Sequence, residues 1–278
     1  MGRRIGIIAG AGRFVPAAVA DFQKQGMTCV VAGIEGEASR RLAAIAVNFQ
    51  WVRLTEPFKA AEFLRRNGAD EVMLLGKVSP SAVIRSENLD PASRAILMGL
   101  RDLSATSVLR AAVVFLESRG LKVLDPREFL DPYLFAAGTL TKAGPTASAD
   151  ADIDFGLPLA RRLADLEIGQ TMVVRNRAIV AVEGMDGTDA TIRRAGKLAG
   201  VGFSVVKAGR TSQDMRLDVP AVGLDTVRAL VRAGGAALGL DAGKVAFFQR
   251  QEAVALADAR GVAIVARSLE KLEEAQVG

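Results

Sequence analysis

The chain has 278 residues, of which 50% are hydrophobic, 24% charged and only 5% aromatic, and it carries a formal net charge of +5. This composition excludes a disordered polypeptide and suits an ordered α/β protein of two domains, each of roughly 100–150 residues. The absence of histidine and the single cysteine exclude Ser-His-Asp and Cys-His catalysis, an internal disulfide and the commonest nitrogen ligand of zinc or iron.

The first predicted element is a β-branched strand over Arg4 to Ala9, followed by the turn Gly10-Ala11-Gly12 and an amphipathic helix from Phe14 to Gln25. A glycine turn at a helix start lets backbone amides approach a phosphate closely. A dinucleotide fingerprint would need a third small residue three positions after Gly12, where Val15 stands with Pro16 behind it. A second strand over Thr28 to Ile34 holds Cys29 as inert packing, and Glu35 follows where a ribose-binding acid would sit. A helix around Phe58 to Asn67 leads to a third strand, Glu71 to Leu75, whose C-terminal end carries Gly76-Lys77. Ligands of open parallel sheets collect at that edge, within reach of Lys77.

Helical periodicity runs between Pro91 and Arg119, ahead of a fourth strand at Lys122 to Leu124. The segment Asp131 to Asp150 is rich in Gly, Thr, Ala, Pro and Ser and reads as a crossover or linker, followed by a helix over Ile153 to Leu163. Strands at Thr171 to Val174 and Ala178 to Val182 flank a hairpin turn at Arg175-Asn176-Arg177. Next come a loop rich in Gly and acid, Glu183 to Gly187, a helix from Thr188 to Ala199 with Thr188 as N-cap and Asp189 complementing the helix dipole, and a strand at Phe203 to Lys207. The run Gln213-Asp214-Met215-Arg216-Leu217-Asp218-Val219-Pro220, if extended, puts Asp214, Arg216 and Asp218 on one face roughly 7 Å apart, as a metal and a phosphate held side by side require. Asp225 precedes a helix over Thr226 to Ala233, and a strand, helix and strand between Lys244 and Ala266 close the chain.

The expected fold class is therefore α/β: a Rossmann-like parallel-sheet domain over residues 1–132, a linker and crossover helix over 133–164, and a second α/β or α+β domain over 165–278. With no histidine, catalysis falls to carboxylates, lysine or an oxygen-ligated ion such as Mg²⁺ or Mn²⁺. Basic residues occur as scattered pairs without interleaved aromatics, which argues against a nucleic-acid platform. No segment approaches the ~20 apolar residues of a spanning helix, so any membrane contact is expected to be peripheral.

The segments Gly6 to Pro16, Leu75 to Val78, Ile168-Gly169-Gln170, Ala181 to Ala190 and Lys207 to Thr226 together resemble the LpxI family of UDP-2,3-diacylglucosamine pyrophosphatases. The resemblance implies a nucleotide-binding N-terminal domain, a C-terminal domain of unusual fold, and Mg²⁺-dependent cleavage of UDP-2,3-diacylglucosamine into UMP and 2,3-diacylglucosamine 1-phosphate. It implies a lipid-bearing substrate met at the cytoplasmic face of the inner membrane, and it leaves room for a homodimer. By position, Gly10, Ala11, Gly12, Gly76 and Lys77 would serve the nucleotide; Thr188, Asp189, Lys207, Gln213, Asp214, Arg216, Asp218 and Asp225 would surround the pyrophosphate and metal. Asp214, Asp218 and Asp225 are the expected metal ligands, and Asp225, Asp214, Lys207 and Arg216 the expected catalytic groups. Asp186 stands where the family pattern has a glutamate, and the stretch Leu103 to Leu109 lacks the family's acidic pair. The competing readings are an NAD(P)-dependent oxidoreductase, favoured by the first βα turn and Glu35, and a nucleotide- or lipid-binding regulator without turnover.

Overall fold

A computed structural model describes residues 2–12, 14–78, 98–100, 105–212, 214–216 and 218–270. The chain divides into two compact units, Met1–Phe129 with Asp214–Val219, and Leu130–Gln213 with Pro220–Gly278.

The first unit is built on a five-stranded sheet of β1 (Arg4–Ala9), β2 (Thr28–Ile34), β3 (Asn48–Val52), β4 (Glu71–Leu75) and β5 (Lys122–Val123). All pairings are parallel and the order is β3-β2-β1-β4-β5. The near-continuous apolar runs of β1 and β2 mark strands covered on both faces. On one side Val30, Ala32, Ile34 and Val72 share a core with Ala60, Ala61 and Leu64 of α3 (Pro57–Arg66) and with Val113 and Leu116 of α4 (Ala105–Ser118). On the other, the Cys29 thiol lies 3.9 Å from the carbonyl oxygen of Val19 in α1 (Phe14–Lys24). Burial pushes this thiol up to about 11, which makes it unreactive packing, as expected. The sequence reading missed β3 and two short helices, α2 (Leu42–Ile45) and α5 (Arg127–Leu130). Strand β3 lies at the sheet edge, where Asn48 and Gln50 interrupt its apolar run. The region between Pro91 and Arg119 lies partly outside the described residues.

The second unit holds a six-stranded mixed sheet of order β6-β13-β11-β9-β7-β8. Its strands are β6 (Gly138–Thr139), β7 (Thr171–Arg175), β8 (Ala178–Val182), β9 (Ser204–Lys207), β11 (Ala237–Asp241) and β13 (Ala263–Arg267), while β10 (Ala221–Val222) and β12 (Ala246–Phe247) pair separately. Strands β9, β11 and β13 are mutually parallel; β6, β7 and β8 join antiparallel. Period-2 alternation divides the core. Met172, Val174 and Val206 pack with Ile153 and Leu157 of α6 (Ala147–Asp165), and Val173, Val205 and Leu238 pack toward Ile192, Leu230 and Ala253. Those last three residues belong to α7 (Thr188–Ala199), α8 (Leu224–Ala233) and α9 (Arg250–Arg260).

Helix α6, expected to be a crossover within a linker, is thus the core helix of one face of this sheet. Buried Asp152 ties it to the hairpin: its carboxylate accepts the backbone N–H groups of Asn176 at 3.1 Å and Arg177 at 2.6 Å, the two turn residues with positive φ. Arg161 of α6 forms a buried ion pair with Asp241 at the end of β11, at 2.9 Å. The sequence reading also missed the central strand β11, whose Ala-Leu-Gly-Leu-Asp has too little bulk and branching to stand out.

Candidate functional site

The sheet order of the first unit reverses between β1 and β4, so the C-terminal ends of these two strands form its topological switch point. Both glycine motifs lie there. The Gly10 N–H donates to the Leu75 carbonyl at 2.8 Å, the Ala11 N–H to that of Lys77 at 2.6 Å, and the Lys77 N–H returns to that of Ala11 at 2.8 Å. The two loops are thereby stitched together, and this corrects the expected phosphate cradle: the amides of Gly10 and Ala11 are already engaged. The glycines allow the crossing itself. A Cβ on Gly10 would stand 2.4 Å from the Lys77 oxygen, and one on Gly76, where φ is +91°, 2.6 Å from the Ala11 oxygen. At the same edge stand the backbone at Gly12, the start of α1 and the exposed Lys77. A dinucleotide mode loses ground, since Val15 is fully buried and the Glu35 carboxylate pairs with Arg53.

The segment Asp214–Val219 belongs to this unit although it lies late in the chain. It is not the extended stripe expected of its alternation. Asp214 instead closes a turn in which its Oδ1 accepts the Arg216 backbone N–H and Nε–H, each at 3.1 Å, and its Oδ2 accepts a guanidinium N–H at 2.9 Å. The local satisfaction available to an Asx turn outweighs the strand period, and Met215 is buried at the apex. The Arg216 hydrogen bonds hold the Asp214 carboxyl below its usual range, against a smaller desolvation effect. An analogous clip, missed in the sequence, follows β5. There Asp125 accepts the Arg127 backbone N–H at 3.0 Å and its Nε–H at 2.8 Å. Burial pushes the Asp125 carboxyl up, but these bonds outweigh it and the net shift is downward. The two clips interact, since Asp125 feels the charge of Asp214 and Arg216 that of Asp125. Only the Asp-X-Arg spacing shared by residues 125–127 and 214–216 could have revealed this.

In the second unit, Lys207 ends β9 and its side chain is only 1% exposed. Its ammonium lies 3.1 Å from Thr171 Oγ1, 3.1 Å from Thr188 Oγ1 and 3.5 Å from Glu183 Oε2. The Thr188 hydroxyl donates to Glu183 Oε1 at 2.9 Å. Gly187, with φ of +78°, occupies the N-cap position of α7, so Thr188 is its first helical residue rather than the expected cap. Asp189 is exposed in that first turn. Asp186 binds the Gly184 N–H at 3.1 Å and Arg194 at 3.1 Å; burial raises its carboxyl, but these partners leave it lowered overall.

Asp225 stands in the first turn of α8, behind the N-cap Gly223, and its carboxylate accepts from Arg228 at 3.1 Å. Asp218 donates its backbone N–H to the Asp214 carbonyl at 3.4 Å, and Gln213 lies outside the described residues. Among the described residues no group of three or more acidic or cysteine side chains is gathered as a metal cage. Among them also, no helix is long and apolar enough to cross a membrane.

Compared with known proteins, residues 4–133 match the LpxI N-terminal domain and residues 136–265 the LpxI C-terminal domain. The chain is 28% identical over 277 residues to the UDP-2,3-diacylglucosamine pyrophosphatase LpxI of Caulobacter vibrioides, an alignment covering 95% of this chain and 97% of that protein. Among solved structures, phosphoribosylglycinamide synthetase from Anaerococcus prevotii aligns at 13% identity and a TM-score of 0.24, over 68% of this chain and 42% of that one. The biotin carboxylase subunit of pyruvate carboxylase aligns at 12% identity and a TM-score of 0.27, over 72% and 43%. The chain thus spans less than half the length of those two structures, and likenesses at these scores carry no argument.

Proposed function

The chain belongs to the LpxI family, and from that premise we propose that it hydrolyses the pyrophosphate bond of UDP-2,3-diacylglucosamine, releasing UMP and 2,3-diacylglucosamine 1-phosphate for lipid A biosynthesis. The observation that carries the reading is the match of both halves to the two LpxI domains, together with an alignment running nearly end to end along a pyrophosphatase.

In this reading Gly12, the start of α1 and Lys77 serve the nucleotide side, at the edge where open parallel sheets bind ligands. The N-terminal turns of α7 and α8, each behind a glycine N-cap without a side-chain cap, offer backbone N–H groups and a favourable dipole to the diphosphate. Asp189 and Asp225 stand in those turns. Asp225 orients or deprotonates the attacking water.

A hard divalent ion, Mg²⁺ or Mn²⁺, fits as one held jointly with the substrate rather than caged by the protein. Such ions accept one or two carboxylates and take phosphate oxygens and water for the rest. Asp225, at 26% side-chain exposure, suits the protein share; Asp214 does not, because Arg216 engages both its oxygens. When bound, the ion neutralises charge on the diphosphate. A substrate bearing two acyl chains brings the enzyme to the cytoplasmic face of the inner membrane as a peripheral protein.

The test is UMP release from UDP-2,3-diacylglucosamine with Mg²⁺. Wild-type protein is expected to turn over and to stop on chelation. Asp225→Ala should lose at least about 100-fold in kcat while keeping its circular dichroism spectrum. No UMP from wild type under any divalent ion overturns the activity, undiminished turnover by Asp225→Ala overturns that residue's role, and chelator-resistant turnover overturns the ion's.

A further inference from the structure

Glu183 has no part in the function proposed above, yet two residues of the candidate site meet on its carboxylate. Oε1 accepts the Thr188 hydroxyl at 2.9 Å and Oε2 faces the Lys207 ammonium at 3.5 Å, while the Gln170 backbone N–H donates to Oε2 at 3.3 Å. The Glu183 side chain is 4% exposed. Strand register builds the cluster: Thr171 pairs with Lys207 across β7 and β9, and the Glu183 N–H donates to the Thr171 carbonyl at 2.8 Å as β8 ends. The Ile168-Gly169-Gln170 motif finds its reason here. A Cβ on Gly169 would stand 2.2 Å from the Glu183 carbonyl oxygen, so only glycine lets the chain pass close enough for the Gln170 N–H to reach the carboxylate.

The chemistry of the cluster is constrained. The acceptors around the Lys207 ammonium include Thr171, Thr188 and Glu183. The Thr188 hydroxyl gives its proton to Glu183 and accepts from Lys207, so it is turned inward, away from donation to a ligand. A buried ammonium is tolerated only with a paired and hydrogen-bonded counter-charge. We infer that Glu183 is a positioning residue: it compensates the buried Lys207 ammonium, and the two together fix Thr188 and the N-terminal turn of α7. Lys207 and Thr188 then act through the placement of that turn, with Asp189 in it, and not by side-chain contact with phosphate. This rests on the activity proposed above.

The test compares wild type with Glu183→Gln and with Glu183→Gln/Lys207→Met, measuring kcat against pH and the melting temperature. Glu183→Gln leaves the ammonium uncompensated, so it should melt lower, lose about 10- to 100-fold in kcat, and lose turnover on the alkaline side at lower pH than wild type. The double variant, without a buried charge, should recover most of the melting temperature but not kcat. An alkaline limb unmoved in Glu183→Gln, or kcat restored with stability in the double variant, overturns the inference. If Glu183→Gln does not fold, the double variant decides: wild-type kcat overturns the inference and a lowered kcat at near-wild-type stability upholds it. Failure of the activity itself is distinct, since wild type would then release no UMP.

Discussion

Asp214 and Arg216 show how a pair of side chains can reshape a segment. The carboxylate is held below its ordinary value, chiefly by the Arg216 hydrogen bonds. A carboxylate with a lowered folded value contributes stability above its unfolded value, near pH 4, and loses that contribution as pH falls through the folded value. Arg216→Met should therefore melt below wild type at neutral pH, with the gap closing as pH drops well under about 4. A gap that persists at the lowest pH would show that Arg216 stabilises by packing alone. The sequence displayed the charges of this run but not their fold. Alternation at residues 214–218 is compatible with a strand, and only competition from the Asx turn, which leaves no periodic trace, decides against it.

At the scale of elements, regular segments were the legible ones: the bounds of β1, β2 and α7 coincide with those expected from hydrophobic period and glycine punctuation. Among the strands missed were an edge strand, β3, and a core strand of small residues, β11, where burial rather than residue type makes the strand. The glycine turn was legible as a motif and misread in purpose. Gly10 and Gly76 are glycine because two backbones cross, a fact that resides in neither segment alone. The pairing of Glu183 with Lys207 was hidden for the same reason, since its partners come from β7, β9 and α7. The β7–β8 hairpin, in contrast, was visible as a turn, and its anchor on Asp152 gives it a measurable strength. Asp152→Ala would remove the acceptor of two part-buried backbone N–H groups and should destabilise by about 1–3 kcal/mol in urea unfolding, whereas a cost under about 0.5 kcal/mol would mean that water replaces the carboxylate.

For the molecule as a whole, the family match divides the chain at about residue 135, while the compact units divide it differently. Residues 214–219 complete the first unit from within the second half of the chain. Residues 1–133 alone should thus expose the surface that Met215, 4% exposed, covers in the full chain. A peptide spanning residues 212–220 should bind that fragment and raise its melting temperature, more weakly when Met215 is replaced by Ser. A fragment as stable without the peptide as with it would make the segment an ornament of the unit.

The same segment orders the birth of the protein. Residues 130–213 must leave the ribosome before the last piece of the first unit does, a wait of roughly 4–17 s at about 5–20 residues per second. Through that interval the nascent N-terminal sheet lacks the Asp214–Arg216 clip and the Met215 side chain, so the moment of greatest exposure to chaperones and proteases comes mid-synthesis, and the first domain to be made is not the first to be finished.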